Sequence, residues 1–240
     1  MKRILRQVIR STGFDIVRYP PLHSHSGRMR RLFEYYQIDT VIDVGANEGQ
    51  FGRSLRDANY SGRIFSFEPL SSAHQALAAL AASDPNWVVA PRMAIGRVTG
   101  DVVINVAENL ESSSILPMSD LHREASPTSR YTETETVPMN TLDDVVMQYI
   151  LSPCHTLLKI DTQGFEAEVL AGASNVLSTA VAVQLELSLA QLYDGQAGYL
   201  DLIQFMMSKG YSLAEINPGF SDPRTGHLLQ ADGVFVKKRA

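Results

Sequence analysis

Residues 41–52, Val-Ile-Asp-Val-Gly-Ala-Asn-Glu-Gly-Gln-Phe-Gly, constrain the fold more than any other stretch of the chain. A short apolar run ends in an acid and breaks into a glycine-rich turn. A buried parallel strand delivers its backbone to a nucleotide-like ligand in this way. Gly45 and Gly49 let the chain turn and let a ligand approach the backbone closely. A dinucleotide fingerprint would want glycine at 45, 47 and 50, but Asn47 and Gln50 occupy the second and third places. Asp43 would repel a pyrophosphate and suit a ligand with a cationic amine. Asp43, Gly45, Asn47, Glu48 and Gly49 are therefore candidate cofactor residues.

The pattern repeats along the chain. Strand-like runs fall at 41–44, 63–68, 87–91, 101–107, 133–138, 156–160, 181–187, 211–216 and 233–237. Helical stretches at 49–58, 71–82, 141–149, 165–172 and 198–209 lie between several of them. Strands alternating with helices predict an α/β fold, with one mostly parallel sheet and helices on both faces. In such sheets ligands bind beyond the carboxyl ends of the strands. Residues 108–132, rich in Ser, Thr and Pro, break the alternation. A connection that long inside a compact domain is expected to be a mobile lid over the site.

The strand ends carry the remaining chemistry. Glu68 stands 23 residues after Gly45, close to the ~20-residue spacing at which a carboxylate grips ribose hydroxyls. Ala94, in Met93-Ala-Ile-Gly96, is placed to lie against an adenine ring. S-adenosylmethionine, with its ammonium, sulfonium and ribose but no phosphate, fits this set. In Leu157-Leu-Lys-Ile-Asp161-Thr-Gln163-Gly164, a second buried strand ends in an acid and a glycine turn. Glu186 sits in the apolar run Gln184-Leu-Glu-Leu-Ser188, where an unpaired carboxylate would be costly. Asp161 and Glu186 are thus candidates for a general base or for ligands of a divalent cation such as Mg.

Charge and cysteine content bound the setting. Residues 1–36 hold eight Lys/Arg against two acids, a net +6, while the remainder holds 13 basic and 24 acidic residues, a net −11. An acidic body argues against a nucleic-acid substrate. The single cysteine, Cys154, excludes an internal disulfide and favours a cytoplasmic setting. Residues 1–37 read as a basic helical extension and 38–240 as the main domain. Within the extension, residues 1–11 read as a short amphipathic helix, packed on the core with its arginines in water; the alternative is a peripheral contact with an anionic membrane or a lipid-linked substrate. Residues 19–27 read as a loop, with His23 and His25 solvent-exposed, and a helix is expected over 28–37.

These motifs resemble a known family. From about residue 38 to 237 the chain is similar to the FkbM family of S-adenosylmethionine-dependent methyltransferases. The resemblance rests on Asp43-Val-Gly-Ala-Asn-Glu-Gly49, Phe67-Glu68-Pro69, Ala94-Ile-Gly96, Ser112-Ser-Ser114, Thr141-Leu-Asp-Asp144 and Lys159-Ile-Asp-Thr-Gln-Gly164 with Glu166, Leu170 and Gly172. It implies a class I methyltransferase (Rossmann-like) fold of seven strands, the last antiparallel. It also implies methyl transfer to a hydroxyl, commonly on a sugar or a polyketide-derived product. By the same likeness Glu68 maps to the ribose ligand, and Asp43, Gly45 and Asn47 to the cofactor turn. Many relatives carry Glu where this chain has Gln163, which cannot act as a base. The basic arm with Thr12–Tyr19 resembles mycobacterial-type members that act on glycolipid sugars.

The expected activity is O-methyl transfer to a small-molecule or lipid-linked sugar. Asp161 takes the hydroxyl proton and Glu186 orients the acceptor or shares a cation. His122, on the 108–132 segment, is the rival base, although a lone loop histidine is expected to be solvated. A nicotinamide-dependent oxidoreductase and a non-catalytic binding module are the competing readings. The missing glycine at 47 and the lack of a Tyr-x-x-x-Lys arrangement count against the first.

Overall fold

The computed structural model describes residues 10–13, 24–147, 149 and 154–237. The chain divides into two compact units, Met1–Gln37 and Ile38–Ala240. In the first, helix α1 (His25–Tyr36) starts where Ser24 Oγ accepts from Gly27 N at 3.1 Å. The predicted 19–27 loop therefore ends in a serine cap, and His25 is helical. His23 and residues 1–9 of the proposed amphipathic helix lie outside the described residues.

The second unit is built on a sheet ordered β3-β2-β1-β7-β8-β10-β9. Its left half is β1 (Thr40–Val44), β2 (Arg63–Phe67) and β3 (Trp87–Val89), with α2 (Gln50–Asp57) and α3 (Ser71–Ala81) as crossovers. Its right half is β7 (Thr156–Ile160), β8 (Ala182–Ser188), β9 (Tyr211–Pro218) and β10 (Gln230–Lys237), with helices α6 (Glu166–Ala171), α7 (Ser174–Thr179) and α8 (Tyr199–Ser208). Strand β10 runs antiparallel to both of its neighbours, while the other pairs are parallel. This is the class I methyltransferase sheet, with its last strand reversed. Both central strands, Thr-Val-Ile-Asp-Val and Thr-Leu-Leu-Lys-Ile, are buried throughout. That is the burial expected of a parallel strand covered on two faces. The order reverses between β1 and β7, so the ligand crevice of a doubly wound sheet opens there.

Two predicted strands lie elsewhere. Strands β5 (Gly100–Ala107) and β6 (Tyr131–Asn140) pair antiparallel and form a separate three-stranded sheet with β4 (Ala94–Ile95). The reason lies in the composition of β6. Its Thr-Glu-Thr-Glu-Thr run is largely solvent-facing, so it cannot occupy a strand buried on both faces.

The 108–132 segment also departs from the expected lid. It contains helix α4 (Asp120–Ala125), a 3-10 turn at Pro127–Ser129 and a bridge between Asn105 and Ser114. Met118 and Ala125 pack with Leu192, Tyr193 and Leu229. Ser114 Oγ donates to Gln163 O at 2.7 Å, and Tyr131 Oη donates to Leu116 O at 2.8 Å. The segment is an ordered wall rather than a structureless loop. Helix α5 (Leu142–Val146) follows β6 and is shorter than the expected 141–149 stretch.

Candidate active site

Two glycine turns meet back to back at the switch point. Gly45 and Ala46 donate their N–H groups to Phe67 O at 3.0 and 3.1 Å, and Asp161 N donates to Val44 O at 3.0 Å. Gly45 has φ +77, and a Cβ there would fall 1.8 Å from the Asp161 carbonyl oxygen. Glycine is required at 45 because the second turn occupies that space. The second turn is held by buried Glu166, whose Oε1 accepts from Thr162 N, Gly164 N and Thr162 Oγ1 at 2.9, 3.2 and 3.2 Å. Gln163 is forced to φ +53, an unusual conformation for a side-chain-bearing residue.

Beneath the turns lies a buried ion pair. Asp43 is fully buried, and Lys159 Nζ approaches its Oδ1 at 3.1 Å, an ionic contact without hydrogen-bond geometry at either carboxylate oxygen. Lys159 also donates to Gly45 O at 3.2 Å and lies 3.5 Å from Asp161 Oδ2. Burial disfavours the lysine charge, but Asp43 and Asp161 outweigh it and raise its pKa. Burial raises the Asp43 carboxyl, and Lys159 opposes that. The cation that Asp43 meets is thus the protein's own.

A cavity of about 500 Å³ opens above the turns, within the ~300–1,000 Å³ range of small-molecule sites. Gly45, Asn47, Glu68 and Ala94 line it, together with apolar Met93 and Ile95. Asp43, Glu48 and Gly49 are not among its walls: Glu48 is exposed, and the Gly49 Cα faces Leu77 and Leu80 of α3. Glu68 Oε2 accepts from Asn47 N and its Oε1 from Leu70 N, both at 2.8 Å. Each oxygen keeps a further lone pair for a ribose hydroxyl. Burial pushes the Glu68 carboxyl up to about 7, although the Leu70 and Asn47 N–H groups pull it down. Backbone turn, carboxylate and apolar floor together fit an adenosyl group.

On the other side the wall is polar. Asp161 and Glu186, far apart in sequence, are brought together by Gln163. Its Nε2 donates to Asp161 Oδ1 at 3.0 Å and to Glu186 Oε2 at 2.8 Å, and its Oε1 accepts from Tyr193 Oη at 2.8 Å. Gln230 Nε2 adds a second donor to Glu186 Oε2 at 2.7 Å. Burial, followed by the nearby Asp161, Glu166 and Asp232 carboxylates, raises the Glu186 pKa well above its ordinary value. The partners that Glu186 needed are therefore two amides. Where a shared cation was expected, the Gln163 N–H group stands between the two carboxylates, and among the described residues no group of three or more His, Cys, Asp or Glu is placed to hold a metal.

His122 overturns another expectation. It is 2% exposed rather than solvated. Its ring lines the cavity, 5.1 Å edge-on from Tyr193 and 5.6 Å from Phe220. Burial pushes its pKa down to about 4, so it is neutral near pH 7. Lys159 has no role in the sequence reading and Gln163 is there excluded as a base, yet both tie the site together. The lysine in an apolar strand and the residue standing where relatives have Glu were the available signals.

The family described as the methyltransferase FkbM domain matches residues 43–213, from the Asp43 turn into β9. The chain belongs to this family. It is accordingly an S-adenosylmethionine-dependent methyltransferase, which sets aside the nicotinamide reading. No curated protein matched the methyltransferase. Solved structures resemble it at low identity. The TehB-like SAM-dependent methyltransferase from Corynebacterium glutamicum is 12% identical over 99% of this chain and 96% of its own, with a TM-score of 0.41. TehB from Haemophilus influenzae is 10% identical over 92% of this chain and 64% of its own, with a TM-score of 0.46. The plantazolicin methyltransferase BamL, solved with SAH and a triazolic desmethylPZN analog, is 9% identical over 89% of this chain and 85% of its own, with a TM-score of 0.48. Among the described residues no helix is long and apolar enough to cross a membrane.

Proposed function

We propose that this methyltransferase acts on a hydroxyl of a sugar, free or carried on a lipid or natural product, with Asp161 as the general base. The observation that carries this reading is the position of Asp161. Its backbone is tied to the cofactor turn, one carboxylate oxygen is tied to Gln163, and its side chain is 34% exposed at the boundary between the adenosyl-type wall and the polar wall.

When bound, S-adenosylmethionine supplies a methyl group on a sulfonium that departs as a neutral thioether. Gly45, Asn47, Glu68 and Ala94 would hold it. Asp161 receives the proton of the acceptor hydroxyl as the new O–CH3 bond forms. Glu186, fixed by two amide donors, orients the acceptor. The wall formed by residues 109–115 with His122 and Ser126 excludes water from the reacting oxygen.

Transfer of labelled methyl to a panel of glycosides and lipid-linked glycosides tests the reading. Methylation of none of them, with activity on amine or carbon acceptors instead, would overturn it. Asp161→Asn is expected to lower kcat by ~10²–10⁴ while S-adenosylhomocysteine still binds by calorimetry. Normal turnover of that variant would remove Asp161 from the role.

A further inference from the structure

The turn after β5 holds a backbone conformation that its sequence does not favour. Among the described residues, Gln37, Asn47, Asn59, Leu110 and Gln163 are the non-glycine positions with positive φ, and Leu110, at +53, is the one aliphatic side chain of the set. Glycine adopts left-handed backbone freely and asparagine tolerates it, whereas a bulky aliphatic residue there is strained. Such strain persists only where the surroundings over-determine it. Around Leu110 they do. Its N–H donates to Ala107 O at 3.1 Å, and its carbonyl accepts from Ser113 N at 3.0 Å. Ser113 Oγ accepts from Ala107 N at 2.9 Å. Asn109 bonds Ser112 twice, its Oδ1 accepting from Ser112 N at 3.1 Å and its Nδ2 donating to Ser112 Oγ at 3.0 Å. Asn109 N donates to Thr128 O at 3.1 Å, and Ser114 Oγ ties the far end of the turn to Gln163 O.

The side chain fixed in this way lies on the cavity wall. Leu110 is half-buried and lines the cavity. It packs on an apolar cluster that includes Leu70, Ala94, Ile104 and Met139. Leu70, Ala94 and Ile104 line the cavity as well. This is the end marked by Glu68, whose Oε1 accepts from Leu70 N at 2.8 Å. Leu70 follows β2 of the main sheet, while Ile104 and Leu110 come from β5 and the turn beyond it. Chain outside the seven-stranded sheet therefore completes the apolar wall next to the ribose carboxylate. Apolar surface left half-covered on such a wall gains when a ligand with an apolar face covers it.

We propose that Leu110 is a further cofactor-binding residue, held in strained backbone so that its side chain covers the adenosyl group of S-adenosylmethionine at the Glu68 end of the cavity. The proposal rests on the cofactor assignment and is independent of the acceptor. It accounts for an aliphatic residue at a position where glycine or asparagine would be less strained. A leucine that only anchored the turn to the core would stabilise the free protein and leave cofactor affinity alone, so the two roles separate in measurement.

The test is calorimetric titration of the full chain with S-adenosylhomocysteine and with 5′-methylthioadenosine, which keeps the adenosyl group but lacks the amino-acid end. Leu110→Gly and Leu110→Asn accept the left-handed backbone and remove the apolar contact by different routes, so a folding defect in one leaves the other decisive. Leu110→Met keeps an apolar side chain. The melting midpoint of each ligand-free variant is recorded alongside. The expected result is a rise in the S-adenosylhomocysteine Kd of about tenfold in the Gly and Asn variants, shared by 5′-methylthioadenosine. Leu110→Met should stay within about threefold of the wild type. Unchanged Kd in both the Gly and Asn variants, whatever their melting midpoints, would overturn the proposal and leave Leu110 an anchor. A loss that 5′-methylthioadenosine does not share would overturn it too, by placing Leu110 at the amino-acid end. An equal loss in Leu110→Met would trace the effect to the turn rather than to the contact. A wild type that binds neither ligand removes the cofactor assignment and Leu110 with it.

Discussion

At the scale of single residues, the site depends on a few positions where geometry leaves no choice. A Cβ at Gly45 would fall 1.8 Å from the Asp161 carbonyl oxygen, and no rotamer change relieves a clash with backbone. Gly45→Ala should therefore separate the two turns, lower the melting midpoint and abolish S-adenosylhomocysteine binding. A variant that melts and binds like the wild type would show that the turns can part freely. Glu68 carries a second prediction. Its carboxyl is pushed up to about 7 by burial, so it is mostly ionised at pH 8 and mostly protonated at pH 6. Ionised, it is the stronger acceptor for ribose hydroxyls. Calorimetric affinity for S-adenosylhomocysteine should fall between pH 8 and pH 6 in the wild type and be flatter in Glu68→Gln. Strand-end reasoning found Gly45, Glu68 and Asp161 because each ends a strand at the ligand edge. It did not find that His122 is buried, because the rings that bury it, Tyr193 and Phe220, lie far along the chain.

At the scale of elements, much of the fold was legible because periodicity is local. The 49–58, 71–82, 165–172 and 198–209 stretches became helices within a residue or two of those bounds. Short α7 was not expected, and its start has no side-chain cap of its own. Asp143, at the head of α5, supplies one from a distance: its carboxylate accepts from Asn175 N at 2.9 and 3.0 Å and from Val176 N at 3.0 Å. The carboxylate also faces the positive end of the α7 dipole. Asp143→Ala should cost about 1 kcal/mol, measured as a shift of the urea midpoint at constant slope. A change within error would mean that water replaces the cap at no cost. The 108–132 segment departs from the expected loop for a related reason. Its polar composition suggests a free loop, yet its apolar residues Met118 and Ala125 are anchored by residues from distant parts of the chain.

At the scale of the whole molecule, the family and the crevice predict a ligand response. At a concentration near 100 times its Kd, S-adenosylhomocysteine should add about 2.7 kcal/mol of stability, a rise in melting midpoint of ~5–10 °C for a chain of this size. NAD at the same concentration should leave the midpoint unmoved, and a rise with NAD alone would contradict the cofactor assignment. The sequence by itself determined the parallel sheet, the order of strand and helix, and the carboxylates that reach the ligand edge. Apolar periodicity and turn chemistry act over a few residues. Only the tertiary structure decided which partner each carboxylate meets. Asp43 met Lys159, Asp161 and Glu186 met the Gln163 amide, and the Thr-Glu-rich strand β6 went to a second sheet. Those outcomes depend on burial and charge pairing between residues far apart in the chain, which a local pattern does not encode.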